Sequence, residues 1–362
     1  MELDDVAVRR LRQRAQLLHR PGRLSALGVV RRLVGIQAQD RATFRLAIRA
    51  RSASPIAADV DRALWSRRSI VRSWLMRGTL HLVASEDYPW IRLLTAEPVR
   101  NYPRLRLRQE GVRDADVERG LRAIRRMLAN DGPLTRQEIA DRLARRGIHT
   151  EGQAAPWFLA LASIQGIVCQ GPDRGARSTF VLVDDWLGRP QRPVDRDAAL
   201  AEFARRYLLS HAPAAPDDFQ AWSGLGLRDA RRAWSAIAGS LTEARWRDRT
   251  LWMPRRTNRR APRGPVRLAS SFEEYLLGWK GREATLPPEH AAVVVPGGGL
   301  LKPCLIVDGL VAGAWRIERR RDGITVEARP FAGAGPSLRR ALHAEASDVG
   351  RFLGAPAELR LA

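Results

Sequence analysis

The sequence predicts an α+β protein in which a unit of helices closed by a β-hairpin occurs three times in tandem, ahead of a β-rich C-terminal segment. Two observations carry this prediction. At three successive places the apolar period switches from helical spacing to strand-like alternation around a turn signal. Beyond a Pro- and Arg-rich stretch over 254–265 the helical period gives way to short β-prone runs separated by Gly and Asp.

In the first unit, Val8, Leu11, Ala15 and Leu18 recur at helical spacing after an acidic first turn, and Pro21-Gly22 stops that helix. A second helix is expected from Ser25 to about Val34, then one capped by Asp40 that carries Phe44, Ala47 and Ile48. Another, with Val60, Leu64 and Trp65, follows the Ser54-Pro55 break. Ile70 to Met76 and Thr79 to Val83 flank Arg77-Gly78 as a hairpin.

The second unit reads as helices over Val117–Leu128, Thr135–Arg146 with Glu138 completing a capping box, and Ala155–Gln165. Strands over Gly166–Gln170 and Thr179–Val183 close it through a basic loop containing Arg174 and Arg177. The third has helices over Asp197–Leu209, Asp217–Trp222 and Arg228–Ala238, then strands over Leu241–Arg247 and Thr250–Met253. Helices followed by a basic hairpin is the order of a winged helix, whose third helix usually enters the major groove. The repeat is one of element order rather than a fixed sequence period.

In the C-terminal segment, runs at Ala291–Val295, Pro303–Val307, Leu310–Trp315 and Ile324–Ala328 predict a small antiparallel sheet or β-barrel, and Ser337–Leu353 a closing helix. The implied divisions are 1–110, 111–190, 191–255 and 256–362, the first three being winged-helix units.

A net charge of +23 is that of a protein that attracts polyanions, nucleic acid first among them. Lys280 and Lys302 stand alone against many arginines, which GC-rich coding explains; it does not explain the excess of bases over acids. Cys169 and Cys304 are too few and too far apart for a disulfide framework or a metal motif, and the six histidines are scattered, so neither metal nor cofactor is expected. Glu2, Asp4 and Asp5 take the place of a basic leader, and no run is long enough to span a membrane. The expectation is a bacterial cytoplasmic, nucleoid-associated protein, monomeric, with double-stranded DNA as its partner.

One segment stands out by its chemistry, Gly35-Ile36-Gln37-Ala38-Gln39-Asp40. If it is extended, Ile36 and Ala38 point to the core while Gln37 and Gln39 share the opposite face. Two adjacent carboxamides supply donors and acceptors able to hold a water in a fixed orientation. On spacing alone the pair also reads as ordinary capping or surface glutamines.

Together with that segment, Arg72–Val83 (RSWLMRGTLHLV), Phe219–Leu225 (FQAWSGL), Phe272–Arg282 (FEEYLLGWKGR) and Lys302–Trp315 (KPCLIVDGLVAGAW) resemble the winged-helix DNA glycosylase family over nearly the whole chain, in order. The resemblance implies three tandem winged helices and a C-terminal β-barrel forming a concave DNA surface. It also implies release of bulky N7-alkylguanines or unhooking of interstrand crosslinks, with a role in DNA repair and in self-resistance to DNA-alkylating natural products. The family's catalytic motif is glutamine, an aliphatic residue, then glutamine or aspartate. Gln37 and Gln39 match the first, AlkZ-like form, with the small Ala38 between them.

An N7-alkylated guanine is already cationic, so an enzyme needs chiefly to place water near C1′ and stabilise an oxocarbenium-like state, which two neutral amides can do. Asp40 reads as a helix cap instead, and Glu273 and Glu274 as structural, because consecutive side chains face apart. With so few amines the chain is expected to hydrolyse without forming a Schiff base. Arg72, Trp74, Arg77 and His81 of the first hairpin, and Arg174 and Arg177 of the second, are the candidate DNA contacts, with a core role for Trp74 and His81 as the alternative. The rival function is a non-catalytic winged-helix regulator of transcription.

Overall fold

The computed structural model describes residues 1–19, 22–41, 43–188, 194–258, 260 and 262–362. Pro21, expected to end the first helix, lies outside the described residues, as does the expected division at 190/191. Every sheet the described residues form is open, and helices pack between and around the sheets.

The first helix, Asp5–Ala15, begins where the Asp4 carboxylate accepts the Ala7 N–H at 2.7 Å, and the second, Ala26–Leu33, where Ser25 does the same for Gly28. After a left-handed turn at Val34 (φ +68°) the chain forms a two-residue strand, Ile36–Gln37. This strand pairs antiparallel with Leu80–Ala84, Gln37 opposite His81, and Leu80–Ala84 pairs in turn with Ile70–Trp74. The glutamine segment is therefore the edge strand of the first hairpin's sheet. The following helix, Phe44–Arg49, has Thr43 at its N-cap, which corrects the expected cap. Asp40 instead accepts the Thr43 and Ser271 hydroxyls, at 2.8 and 2.7 Å.

Helices Tyr88–Val99 and Asn101–Gln109 occupy a stretch for which no element was expected, and they contain Pro89, Pro98 and Pro103. Pro89 and Pro103 occupy first turns, where an N–H has no partner to lose, and only Pro98 gives up a helical bond. Helices Asp114–Asp131, Arg136–Ala144 and Ala154–Ile164 follow, and the reciprocal Thr135/Glu138 capping box is formed. Strands Val168–Arg174 and Arg177–Leu182 consume most of the expected basic loop and turn at Gly175. Helices Arg196–His211, Pro216–Ser223 and Leu227–Ile237 precede a two-stranded ribbon, Leu241–Trp246 with Arg249–Pro254.

The C-terminal sheet has five strands in the spatial order Ala357–Leu361, Ile324–Pro330, Leu310–Arg319, Cys304–Val307, Arg267–Ala269. It does not close, which overturns the expected barrel. Nor is it wholly antiparallel: after the helix Pro336–Leu353 the chain returns as Ala357–Leu361 and pairs parallel with Ile324–Pro330. Ala291–Val294, expected as a strand, is a short helix launched by the turn Pro288–His290, since proline at the first helical position presets the helical φ.

One apolar cluster joins Ile36, Ala38, Phe44 and Leu82 to Leu305, Trp315, Val326 and Phe352 of the C-terminal sheet and helix. A larger one gathers the helix Arg196–His211 with Val71, Met76 and Val83 of the first hairpin and with Tyr275 and Trp279. The glutamine strand is thus pinned from behind by residues more than 230 positions away in sequence. Among the described residues no helix is long and apolar enough to cross a membrane.

Candidate active site

Ile36 and Ala38 are fully buried in the cluster shared with the C-terminal sheet, while the strand itself ends at Gln37, and Gln39 lies beyond it. The two amides differ in depth. Gln37 is 7% exposed, whereas Gln39 is exposed. Ala38 N–H donates to the Leu80 carbonyl at 2.7 Å, and Leu80 N–H donates to Gln39 Oε1 at 3.0 Å, so the second glutamine continues the ladder with its side chain.

Arg72, expected to face DNA, is buried and does something else. Its Nε and Nη2 donate to the Ala38 carbonyl at 3.0 and 2.6 Å, and its Nη1 to Gln170 Oε1 of the second hairpin at 2.6 Å. Burial lowers its pKa to about 10, which still leaves it cationic at neutral pH. It fixes the backbone between the two glutamines.

His81 is likewise withdrawn, with no exposed surface. Its Nδ1 lies 3.0 Å from the Thr79 carbonyl, which only accepts, so the ring proton is on Nδ1 and Nε2 is an acceptor. Arg77 Nη2 stands 3.3 Å from that Nε2. Burial, with the Arg77 charge adding to it, pushes the histidine down to about 3, so it is neutral.

Arg77 occupies the hairpin turn with φ +57°, half-buried, its guanidinium reaching inward rather than out toward DNA. It donates to Gln37 Oε1 at 2.9 Å and to the Trp222 carbonyl. Gly224, at the end of the helix Pro216–Ser223, makes the approach possible, since a Cβ there would lie 2.8 Å from Arg77 N. Glu274 closes the far side: Oε1 accepts Gln37 N–H at 2.5 Å and Oε2 accepts Trp222 Nε1 at 3.1 Å. Burial raises the Glu274 pKa, opposed by the nearby Arg77 charge. Glu273 turns away to pair with the buried Arg51. The two acids do face apart, yet one of them backs a glutamine, which their spacing gave no reason to expect.

Beside Leu80, whose N–H holds Gln39, a cleft of about 530 Å³ opens between the first hairpin and the second. Trp74, Leu80 and Phe180 supply apolar walls, with the Trp74 and Phe180 rings stacked at 6.3 Å; Arg41, Arg136, Gln137 and Arg177 supply the polar ones. Arg177 is exposed and has no side-chain partner among the described residues, whereas Arg174 is held by Glu138 at 2.7 Å and by the Pro133 carbonyl at 2.8 Å. Among the described residues no three His, Cys, Asp or Glu side chains gather as a metal site.

The structure thus brings Gln37, Arg77 and His81 into one network, places Trp74 and Arg177 along one cleft, ties Gln39 to the Leu80 N–H, and leaves Arg174 outside both. Trp222 had no assigned role and Glu274 only a structural one, although both lie in segments that carried the family resemblance. A curated relative, the interstrand DNA cross-link repair glycosylase of Streptomyces sahachiroi, is 31% identical over 363 residues and 95% of each chain. The solved structure of the Streptomyces sahachiroi DNA glycosylase AlkZ superposes over 100% of both chains with a TM-score of 0.81 at 26% identity. A family model described as DNA glycosylase AlkZ-like matches residues 30–352. The chain therefore belongs to the AlkZ-like DNA glycosylase family, and is an enzyme acting on DNA N-glycosyl bonds rather than a transcriptional regulator.

Proposed function

We propose that the enzyme is a monofunctional glycosylase that hydrolyses the N-glycosidic bond of bulky or N7-alkylated purines, including purines tied into interstrand crosslinks, with Gln37 and Gln39 as its catalytic residues. The observation that carries this reading is that both amides are oriented by obligatory donors, Gln37 Oε1 by Arg77 and Gln39 Oε1 by the Leu80 N–H. Side chains separated by a single residue can reach one sugar. The relative's name supports crosslinks as a substrate.

Each amide oxygen keeps a second lone pair for a water proton, and each NH2 is left to donate to the water or to sugar and phosphate oxygens. The water oxygen forms a bond to C1′ as the C1′–N9 bond breaks. The bonding pair neutralises the cationic purine, and the proton leaves with solvent. Neither amide titrates, so a neutral base, which needs protonation to depart, is spared. Schiff-base chemistry has few candidates: Lys280 is exposed and sits 3.5 Å from Asp217.

In this reading the chain carries winged-helix units over 1–110, 111–190 and 191–255 and a β-rich unit over 256–362, and a monomer embraces duplex DNA in the cytoplasm at the nucleoid. Trp74 and Arg177 meet DNA from the cleft walls, Arg177 through phosphate. Incubation with a duplex containing N7-methylguanine and with a crosslinked duplex is expected to release free base and leave heat-labile abasic sites, without strand breaks before heat or alkali. Gln37→Ala and Gln39→Ala are each expected to slow release by about 10²- to 10³-fold. Wild-type rates in both variants, or breaks without heat, contradict the proposal.

A further inference from the structure

We infer that Arg77 and Glu274 are positioning residues that act through Gln37, clamping its amide and its backbone so that the NH2 group is the end offered to substrate. The inference rests on Gln37 being catalytic, as proposed above. A guanidinium carries only donors, so nothing but the amide oxygen can face it, and the orientation of Gln37 follows from chemistry. Gln37 Nε2 makes no hydrogen bond among the described residues and is not among the polar atoms sealed from solvent. A cation on the amide oxygen also draws electron density from the nitrogen and strengthens it as a donor.

The contacts close a circuit. Gln37 N–H donates to Glu274, whose other oxygen accepts from the Trp222 indole; the Trp222 carbonyl accepts from Arg77, and Arg77 returns to the Gln37 side chain. Residue 37 is gripped at both ends by three segments distant in sequence. Glu274 supplies the countercharge that lets a guanidinium lie at this depth. His81, proton on Nδ1, offers Arg77 a further acceptor, so the guanidinium has partners inside the protein rather than on a phosphate. Arg77 adopts φ +57°, a conformation that a non-glycine residue rarely takes and that its contacts hold in place.

Single-turnover release of N7-methylguanine from an oligonucleotide duplex, measured alongside duplex affinity over a salt series, tests this. Arg77→Ala is expected to slow the bound-state rate by about 10- to 100-fold, within the range for loss of an oriented group, while affinity and its salt dependence stay close to wild type. In a Gln37→Ala background the same change is expected to cost nothing further, because the clamp then holds nothing. Glu274→Gln keeps the shape and loses the countercharge, and a smaller rate loss is expected. Should Arg77→Ala fail to fold, Arg77→Lys keeps the charge and one donor, and a partial rate loss at unchanged melting temperature supports the clamp. Weaker, less salt-dependent binding with an unchanged bound-state rate overturns it in favour of a DNA contact, and so do rate losses that multiply in the double variant. If Gln37→Ala itself keeps the wild-type rate, it is the catalytic reading that fails.

Discussion

Gln37 and His81 are paired residues on neighbouring strands, and burial holds the histidine, like the amide opposite it, without charge. His81 is pushed down to about 3, and burial holds His211, packed among Tyr207, Trp222 and Trp279, well below its ordinary range. In the unfolded chain both take up a proton near pH 6.5, and in the folded chain neither does. The unfolded state therefore gains protons on acidification. Stability is expected to be undiminished above about pH 7.5 and to fall as pH drops below about 6.5, by up to about 1.4 kcal/mol per pH unit for each histidine. Urea midpoints at pH 7.5, 6.5 and 5.5 check this, and a constant midpoint contradicts it. The glutamine pair was legible as a motif because two amides flank a single apolar residue. The burial of Arg72 and His81 was not, since their residue types suit a DNA contact as well as a buried tie.

At the scale of elements, the turn of the first hairpin packs against the end of the helix Pro216–Ser223, where Gly224 leaves room for the Arg77 backbone. Gly224→Ala adds a left-handed penalty at φ +72° and a Cβ against the Arg77 backbone. A loss of about 1–3 kcal/mol is expected, with a fall in base release because the turn carrying Arg77 must shift. Gly175→Ala is the control: φ is +59°, but nothing lies within 4 Å of the new Cβ. Equal melting temperatures and equal rates for the two variants refute the packing argument. The helices and hairpins were mostly readable from period and turn chemistry; Thr135 with Glu138 gave one helix start. The two helices between residues 88 and 109 were hidden by prolines whose positions within a turn decide whether they break or begin a helix. The strands Arg267–Ala269 and Ala357–Leu361 escaped notice because three to five residues become a strand only when a partner exists.

At the scale of the molecule, a net charge of +23 makes DNA affinity steeply salt-dependent, with a slope of about −0.9 per phosphate neutralised. Arg177→Ala is expected to flatten that slope by about one unit, and Arg174→Ala by less, because Arg174 already pairs with Glu138. Anisotropy titrations over a KCl series separate the two; equal effects show that the ion pair opens on binding. By itself the sequence determined most of the helix and hairpin order, the strongly basic character, and the Gln-Ala-Gln motif with its small buried middle residue, because period, charge and strand alternation are local properties. Only the tertiary structure decided that the C-terminal sheet stays open with a parallel last strand, that Ile36 and Ala38 rest on that sheet, and that Arg77 turns inward to Gln37 with Glu274 behind it. Those outcomes depend on which distant surfaces meet, and a buried arginine is stable only where its acceptors and countercharge converge from elsewhere in the chain.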